Sequence, residues 1–172
     1  DELFYSSLAR IAAFDGMSPA QLQTERQDVN KCLTKLKHWA TYAPMNFQHK
    51  CDLLTAEIAR YDQQRAVALD AYDRAISGAK ANEYLQDEAI ANECAAKFYL
   101  DWGKADIAAS YMQEAYACYS RWGAGAKIEA LEQQYPQLLQ LMFQSPPSNS
   151  FFDSLTTNAP PPLSVHSSTT VN

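Results

Sequence analysis

Apolar side chains recur along most of this chain at steps of three and four residues, the spacing that lines one face of an α-helix. The chain opens inside such a pattern, with Phe4, Leu8 and Ile11 in phase, no initiator Met and no preceding cap, so it reads as cut from something longer. Asp15-Gly16 marks a turn. Ser18-Pro19 then pairs an N-cap with a proline at the first helical position, where a missing N–H costs nothing. The helix that follows carries Leu22, Val29, Leu33, Leu36, Trp39 and Ala40 as its predicted buried stripe and must stop before Pro44. Asn46 is the predicted cap of the next helix, whose apolar positions are Phe47, Cys51, Leu54, Ile58 and Tyr61. A further helix follows with Ala68, Ala71, Tyr72, Ala75, Ile76 and Ala79 on one face.

The most regular stretch runs over residues 96–122. Ala96, Tyr99, Gly103, Ala108 and Ala115 follow the rhythm of a tetratricopeptide unit, in which one helix ends in a glycine turn and a second packs back along it. Tyr111 joins these as a packing position, and Ala108 and Ala115 are small enough to let two helix backbones approach closely. Tyr99, Trp102, Tyr111, Tyr116, Tyr119 and Trp122 read as packing between helices rather than a ligand cage. The same rhythm recurs at Ala56, Ala59, Ala68, Tyr72 and Ala75, with Gln63 where the turn glycine would stand, so the earlier unit is degenerate. Ala75 and Ala115 lie 40 residues apart, a longer step than the common unit of about 34 residues, which calls for longer helices around residues 78–87.

The predicted fold is therefore all-α: a short solenoid of tetratricopeptide-like antiparallel helix hairpins over residues 1–143. Within it, residues 1–43 form leading helices, 44–80 the degenerate repeat, 81–123 the core repeat and 124–143 capping helices. Residues 144–172 turn to Ser, Thr, Pro and Asn, and read as a disordered linker.

Composition agrees with helices, with 47% hydrophobic residues and only 5 glycines in 172. A net charge of -6 argues against nucleic-acid and anionic-membrane binding, and no run of about 20 apolar residues could span a bilayer. Lys31, Lys35 and Lys37 are close in sequence, but Glu25 and Asp28 precede them, so they read as a solvated face. Cys32, Cys51, Cys94 and Cys118 are widely spaced, without a CxxC pair, and suggest reduced thiols in a cytoplasmic protein.

Chemistry is sparse. The chain has neither a phosphate-binding glycine loop nor a kinase catalytic set, so no nucleotide or other cofactor is implied. His38, His49, Cys51 and Asp52 cluster in sequence but lack metal-ligand spacing, and no serine nucleophile has its elbow. No catalytic residue is assigned. Asp87 and Glu88 read as acids complementing a helix dipole. Glu93, Lys97 and Asp101 lie on the first helix of the core hairpin, which in such repeats lines a concave groove, and are the candidate partner-binding residues.

Residues 39–60 (WATYAPMNFQHKCDLLTAEIAR), 68–104 (ALDAYDRAISGAKANEYLQDEAIANECAAKFYLDWGK) and 119–139 (YSRWGAGAKIEALEQQYPQLL) together resemble the multi-sensor hybrid kinases of cyanobacteria. In that family a Ser/Thr kinase domain precedes an AAA-type ATPase, a helical-repeat region, a GAF sensor and a histidine kinase. The chain is similar to the repeat region, and the resemblance implies a non-catalytic segment coupling ATPase and sensor modules within a protein kinase. Its partners would be neighbouring domains of the same chain or another protein. A free-standing adaptor holding a peptide in its groove is the alternative.

Overall fold

The computed structural model describes residues 2–144, which form eight α-helices and one 3-10 turn; no strand occurs among the described residues. The helices are α1 (Glu2–Ala12), α2 (Pro19–Ala40), α3 (Pro44–Tyr61), α4 (Arg65–Ala81), α5 (Leu85–Asp101), α6 (Ala105–Trp122), α7 (Gly125–Gln134) and α8 (Pro136–Gln144). None of them is long and apolar enough to cross a membrane. The reading of residues 144–172 as a linker falls, from residue 145 onward, outside the described residues.

Local sequence sets the boundaries. Ser18 and Gln21 form a reciprocal capping box, with Pro19 at the first helical position of α2. Asn46 does not cap α3: the helix starts at Pro44 with Ala43 in the cap position, and Asn46 instead accepts a hydrogen bond from Tyr84 Oη at 2.8 Å. That bond places the α2–α3 and α4–α5 turns at one end of the molecule.

The turns after α3, α4, α5 and α6 share one geometry. Gln63, Glu83, Gly103 and Gly123 have φ of 58°, 63°, 76° and 80°. The next N–H, from Gln64, Tyr84, Lys104 or Ala124, donates to the carbonyl of Ala59, Ala79, Tyr99 or Tyr119 at 2.8 to 3.0 Å. This is the Schellman closure of a helix end, and it recurs every 20 residues. The turn at Gln63 therefore forms without glycine. A left-handed backbone costs a residue with a Cβ about 1–2 kcal/mol, against roughly 0.5–1 kcal/mol of extra chain entropy lost by glycine. Gln63→Gly is accordingly expected to leave stability unchanged or raise it by up to about 1 kcal/mol, and Gly103→Ala to lower it by about 1 kcal/mol. Nothing lies within 4 Å of a Cβ built at Gly103, so the second effect is backbone strain alone. Urea midpoints that move down for Gln63→Gly, or stay fixed for Gly103→Ala, would contradict this account of the turns.

Packing follows the small residues. Ala56 and Ala96, Ala68 and Ala108, and Ala75 and Ala115 are pairs 40 residues apart, and all six are buried. Each helix packs on its neighbour in sequence, while α1 also meets α3, α3 meets α5, and α6 meets α8. The predicted stripes are largely buried, with two corrections. Trp39 is 39% and Trp122 51% exposed, because each lies at the end of its helix, where its neighbours cover only part of the ring. Phe14, in the turn after α1, is buried against Tyr61 and was not among the predicted core positions.

Candidate functional site

α5 is enclosed by α3, α4 and α6, and it carries acids as well as alanines into the interior. Asp87, Glu88, Asn92 and Glu93 are all buried. A buried carboxylate needs partners, because losing its hydration costs several kcal/mol. The fold supplies tyrosine hydroxyls and cations.

Three nodes result. Asp87 accepts from Tyr5 Oη of α1 at 2.8 Å, lies 2.8 Å from His49 Nε2 of α3, and is 3.6 Å from Lys50 Nζ. Burial opposes ionisation of Asp87, but the His49 and Tyr5 hydrogen bonds and the Lys50 charge outweigh it and hold the carboxyl below the ordinary aspartate range. The helix-dipole role read for Asp87 from sequence is thus incomplete: this residue joins α1, α3 and α5. Glu93 accepts from Tyr119 Oη of α6 and from Lys97 Nζ, and pairs with Lys127 Nζ of α7, each at 2.7 Å. Here too burial pushes the carboxyl up, and the two lysines with Tyr119 bring it below its usual range. Glu57 of α3 accepts from Tyr72 Oη of α4 and from Arg60 Nη1 at 3.1 Å.

Arg60 extends the third node across to α5, where its Nε lies 3.2 Å from Asp101. Around this pair, at the ends of α1, α3 and α5, opens a cleft of about 130 Å³. Asp15, Glu57, Arg60, Tyr61, Phe98 and Trp102 contribute to its walls. Trp102 carries two cations over its ring, Arg65 at 5.3 Å and Lys104 at 5.9 Å.

The three candidate groove residues therefore occupy different settings. Glu93 is buried and engaged by Tyr119, Lys97 and Lys127; Lys97 is half-buried and bonded to Glu93; Asp101 is exposed on the wall of the cleft. Glu93 and Lys97 belong to one ion-pair node, and only Asp101 joins the cleft. Of the residues whose spacing follows the repeat rhythm, Ala96, Tyr99, Ala108 and Ala115 are buried, Tyr111 is half-buried and stacks on Tyr99 at 5.2 Å, and Gly103 makes its turn. Sequence periodicity missed the Asp87 node because its members come from three helices. The available signal was a set of acids, Asp87, Glu88 and Glu93, set among alanines on a helix with little polar surface.

His38, His49, Cys51 and Asp52 are not brought together. His49 turns to Asp87, while Asp52 pairs with Arg74 at 3.1 Å and accepts from Gln48. Among the described residues no group of three or more His, Cys, Asp or Glu is placed to hold a metal ion. Burial pushes the thiols of Cys51 and Cys118 up to about 11, so both stay protonated near neutrality and are weak nucleophiles.

These features define an all-helical array pinned by internal tyrosine–carboxylate bonds, with a charged aromatic cleft at one end. No protein-family model matches the chain, and no solved structure matches it. Among curated proteins it is similar to hybrid signal transduction histidine kinase G of Dictyostelium discoideum, with 32% identity over 108 residues. The match covers 63% of this chain and 3% of that kinase, so the chain spans only a small part of its relative's length.

Proposed function

We propose that this chain is a non-catalytic, tetratricopeptide-like scaffold segment that couples ATPase and sensor or histidine-kinase modules within a large cytoplasmic signalling protein of the multi-sensor kinase kind. The observation that carries the reading is the four-fold recurrence of one turn geometry at Gln63, Glu83, Gly103 and Gly123, the first three joining helices of 17 and 18 residues and the fourth leading into the shorter α7. Equal helices joined by equal turns, with small residues in register between them, make a stiff array suited to carrying an orientation from one module to the next. Similarity to part of a hybrid histidine kinase supports the signalling context. In this reading the parent protein supplies the kinase chemistry, and this segment binds no nucleotide.

The test has two arms. The 172-residue chain is expected to give no stoichiometric ATP binding by calorimetry. In the complete signalling protein, Ala115→Pro is expected to uncouple signal from phosphotransfer, because an interior proline costs about 3 kcal/mol and breaks α6. Stoichiometric ATP binding would sink the non-catalytic reading. A normal response from the proline variant, with its flanking domains folded, would reduce the segment to a passive spacer.

The cleft favours a second reading, a free-standing adaptor that seats a peptide side chain beside Asp101 and Trp102 at the end of α5. Saturable binding of a partner peptide that is lost in Asp101→Ala, with no effect of Ala115→Pro on phosphotransfer, would favour it over the relay.

A further inference from the structure

α1 stands outside the repeating array. The turns after α3, α4, α5 and α6 are Schellman closures, whereas α1 leads through the 3-10 turn Phe14–Gly16 into an extended Met17 at φ -93° and ψ 148°. It runs in the same direction as α3 and α5. Near its start, the Phe4 ring lies 5.8 Å from Lys50 Nζ of α3, and Tyr5 Oη bonds Asp87 in the first turn of α5. Beyond its end, Phe14 meets Tyr61, the last residue of α3, at 5.1 Å, and Ile11 and Ala12 share the cleft with Asp101 and Trp102 at the end of α5. A helix of 11 residues, about 16 Å long, thus lies lengthwise on α3 and reaches α5 near both ends.

The face beneath α1 is the first hairpin's counterpart of the predicted groove. Lys50, Glu57 and Tyr61 stand 40 residues before Ile90, Lys97 and Asp101, the register that also relates Ala56 to Ala96. On α5 these positions are half-buried or, for Asp101, exposed; on α3 Lys50 and Glu57 are buried and Tyr61 is half-buried. The N-terminal segment makes the difference: Phe4 lies against Lys50, Ile11 shares a cleft wall with Glu57, and Phe14 packs on Tyr61. Lysine and glutamate are rarely buried, because each loses several kcal/mol of hydration. Their presence suits a face that meets water when α1 is away. Little holds α1 down: it buries Phe4, Ser7 and Ile11, and its Arg10–Glu25 pair is solvent-exposed, where ion pairs contribute little. A helix this short does not persist alone in water, so leaving the groove and unfolding are one local event.

We infer that α1 is an autoinhibitory occupant, closing from within the chain a helix-binding groove on α3 that otherwise takes an amphipathic partner helix of α1's own chemistry. That chemistry is set by the contacts α1 makes. The partner presents an aromatic ring over Lys50, a tyrosyl hydroxyl to Asp87, and aliphatic side chains one and two turns further on, at the places of Leu8 and Ile11. The groove needs no coupling between kinase modules, and neither measurement below reads phosphotransfer.

The test uses the full 172-residue chain. In the wild type, the hydrogen-bonded amides of α1 are expected to exchange at least about ten-fold faster than those of α3 and α5. Ala9 is exposed, so Ala9→Pro breaks α1 without placing a ring in the core, and the variant should keep a cooperative melt. A fluorescent peptide with the sequence of residues 1–14 should bind this variant at least about ten-fold more tightly than the wild type, in which only the open fraction can take it. Phe4→Ala within the peptide should weaken that binding by a similar factor. Amides of α1 that exchange no faster than those of α3, or loss of the cooperative melt in Ala9→Pro, would make α1 an integral part of the fold and overturn the proposal. So would equal peptide binding to both chains, binding to neither, or binding indifferent to Phe4→Ala. A wild-type dimer in sedimentation that Phe4→Ala dissociates would assign the groove to α1 of a second copy, and would overturn it as well.

Discussion

Asp87→Ala is expected to remove about 3–5 kcal/mol of stability, a large share of the 5–15 kcal/mol that holds a typical domain folded. The reason is what stays behind. Half-buried Tyr5 Oη and the Nε2 of fully buried His49 would lose their acceptor, and buried Lys50 its Asp87 partner. Because Tyr5 belongs to α1, the loss should also loosen that helix. Urea denaturation measures the first effect, and faster amide exchange over Glu2–Ala12 the second. Asp87→Asn should cost less, since an amide oxygen still accepts hydrogen bonds. The acid dependence follows from the same node. Asp87 titrates lower in the folded chain than its ordinary value of 3.8, so on acidification the unfolded chain takes up the proton first. The contribution is fully present above the unfolded value and is lost as pH falls through the folded one. Glu93 behaves alike below its ordinary 4.5. Stability should therefore decline from about pH 5 downward, less steeply in Asp87→Asn. An Asp87→Ala variant with the wild-type urea midpoint would show that the node contributes nothing.

The second large effect is steric. Ala115→Leu, and separately Ala108→Leu, should each destabilise the fold by about 1–3 kcal/mol or more, since both alanines are fully buried where α6 meets its neighbours, and a larger side chain fits only by moving a backbone. Ala105, exposed at the start of the same helix, is the control; there the same substitution should stay within about 0.5 kcal/mol of wild type. Thermal melts of the three variants separate a packing effect from a change in helix propensity, which all three share. If the two buried substitutions melt with the control, the alanines are not close-packing positions.

Helix periodicity was legible where a helix buries one face, as for Val29, Leu33, Leu36 and Ala40 on α2. The glycine turn at Gly103 and the cap at Ser18 were legible because their chemistry is local. The turn at Gln63 was harder to read: its left-handed backbone follows from the two helices it joins and not from its own side chain. Trp39 and Trp122 were misplaced because periodicity gives the direction of a side chain around the helix axis but not whether a neighbour reaches that far along it. The internal nodes were hidden for a related reason. Tyr5, His49 and Asp87 are far apart in sequence, and only tertiary packing brings α1, α3 and α5 together. The three residues read as a partner groove, Glu93, Lys97 and Asp101, all lie on α5. Burial of Glu93, however, depends on α6 and α7, which contribute Tyr119 and Lys127.

Alanine-lined contacts bring helices close, but they are smooth. One helix could slide along another by a turn and meet nearly the same surface again. The tyrosine–carboxylate bonds remove that degeneracy. A slip of one turn, about 5.4 Å, would carry Tyr72 away from Glu57, Tyr119 away from Glu93 and Tyr5 away from Asp87, leaving each carboxylate short of a donor in the interior. Under a force directed along the helix axes, the array should therefore resist shear at three fixed points until one of these bonds breaks, and then yield abruptly at that interface.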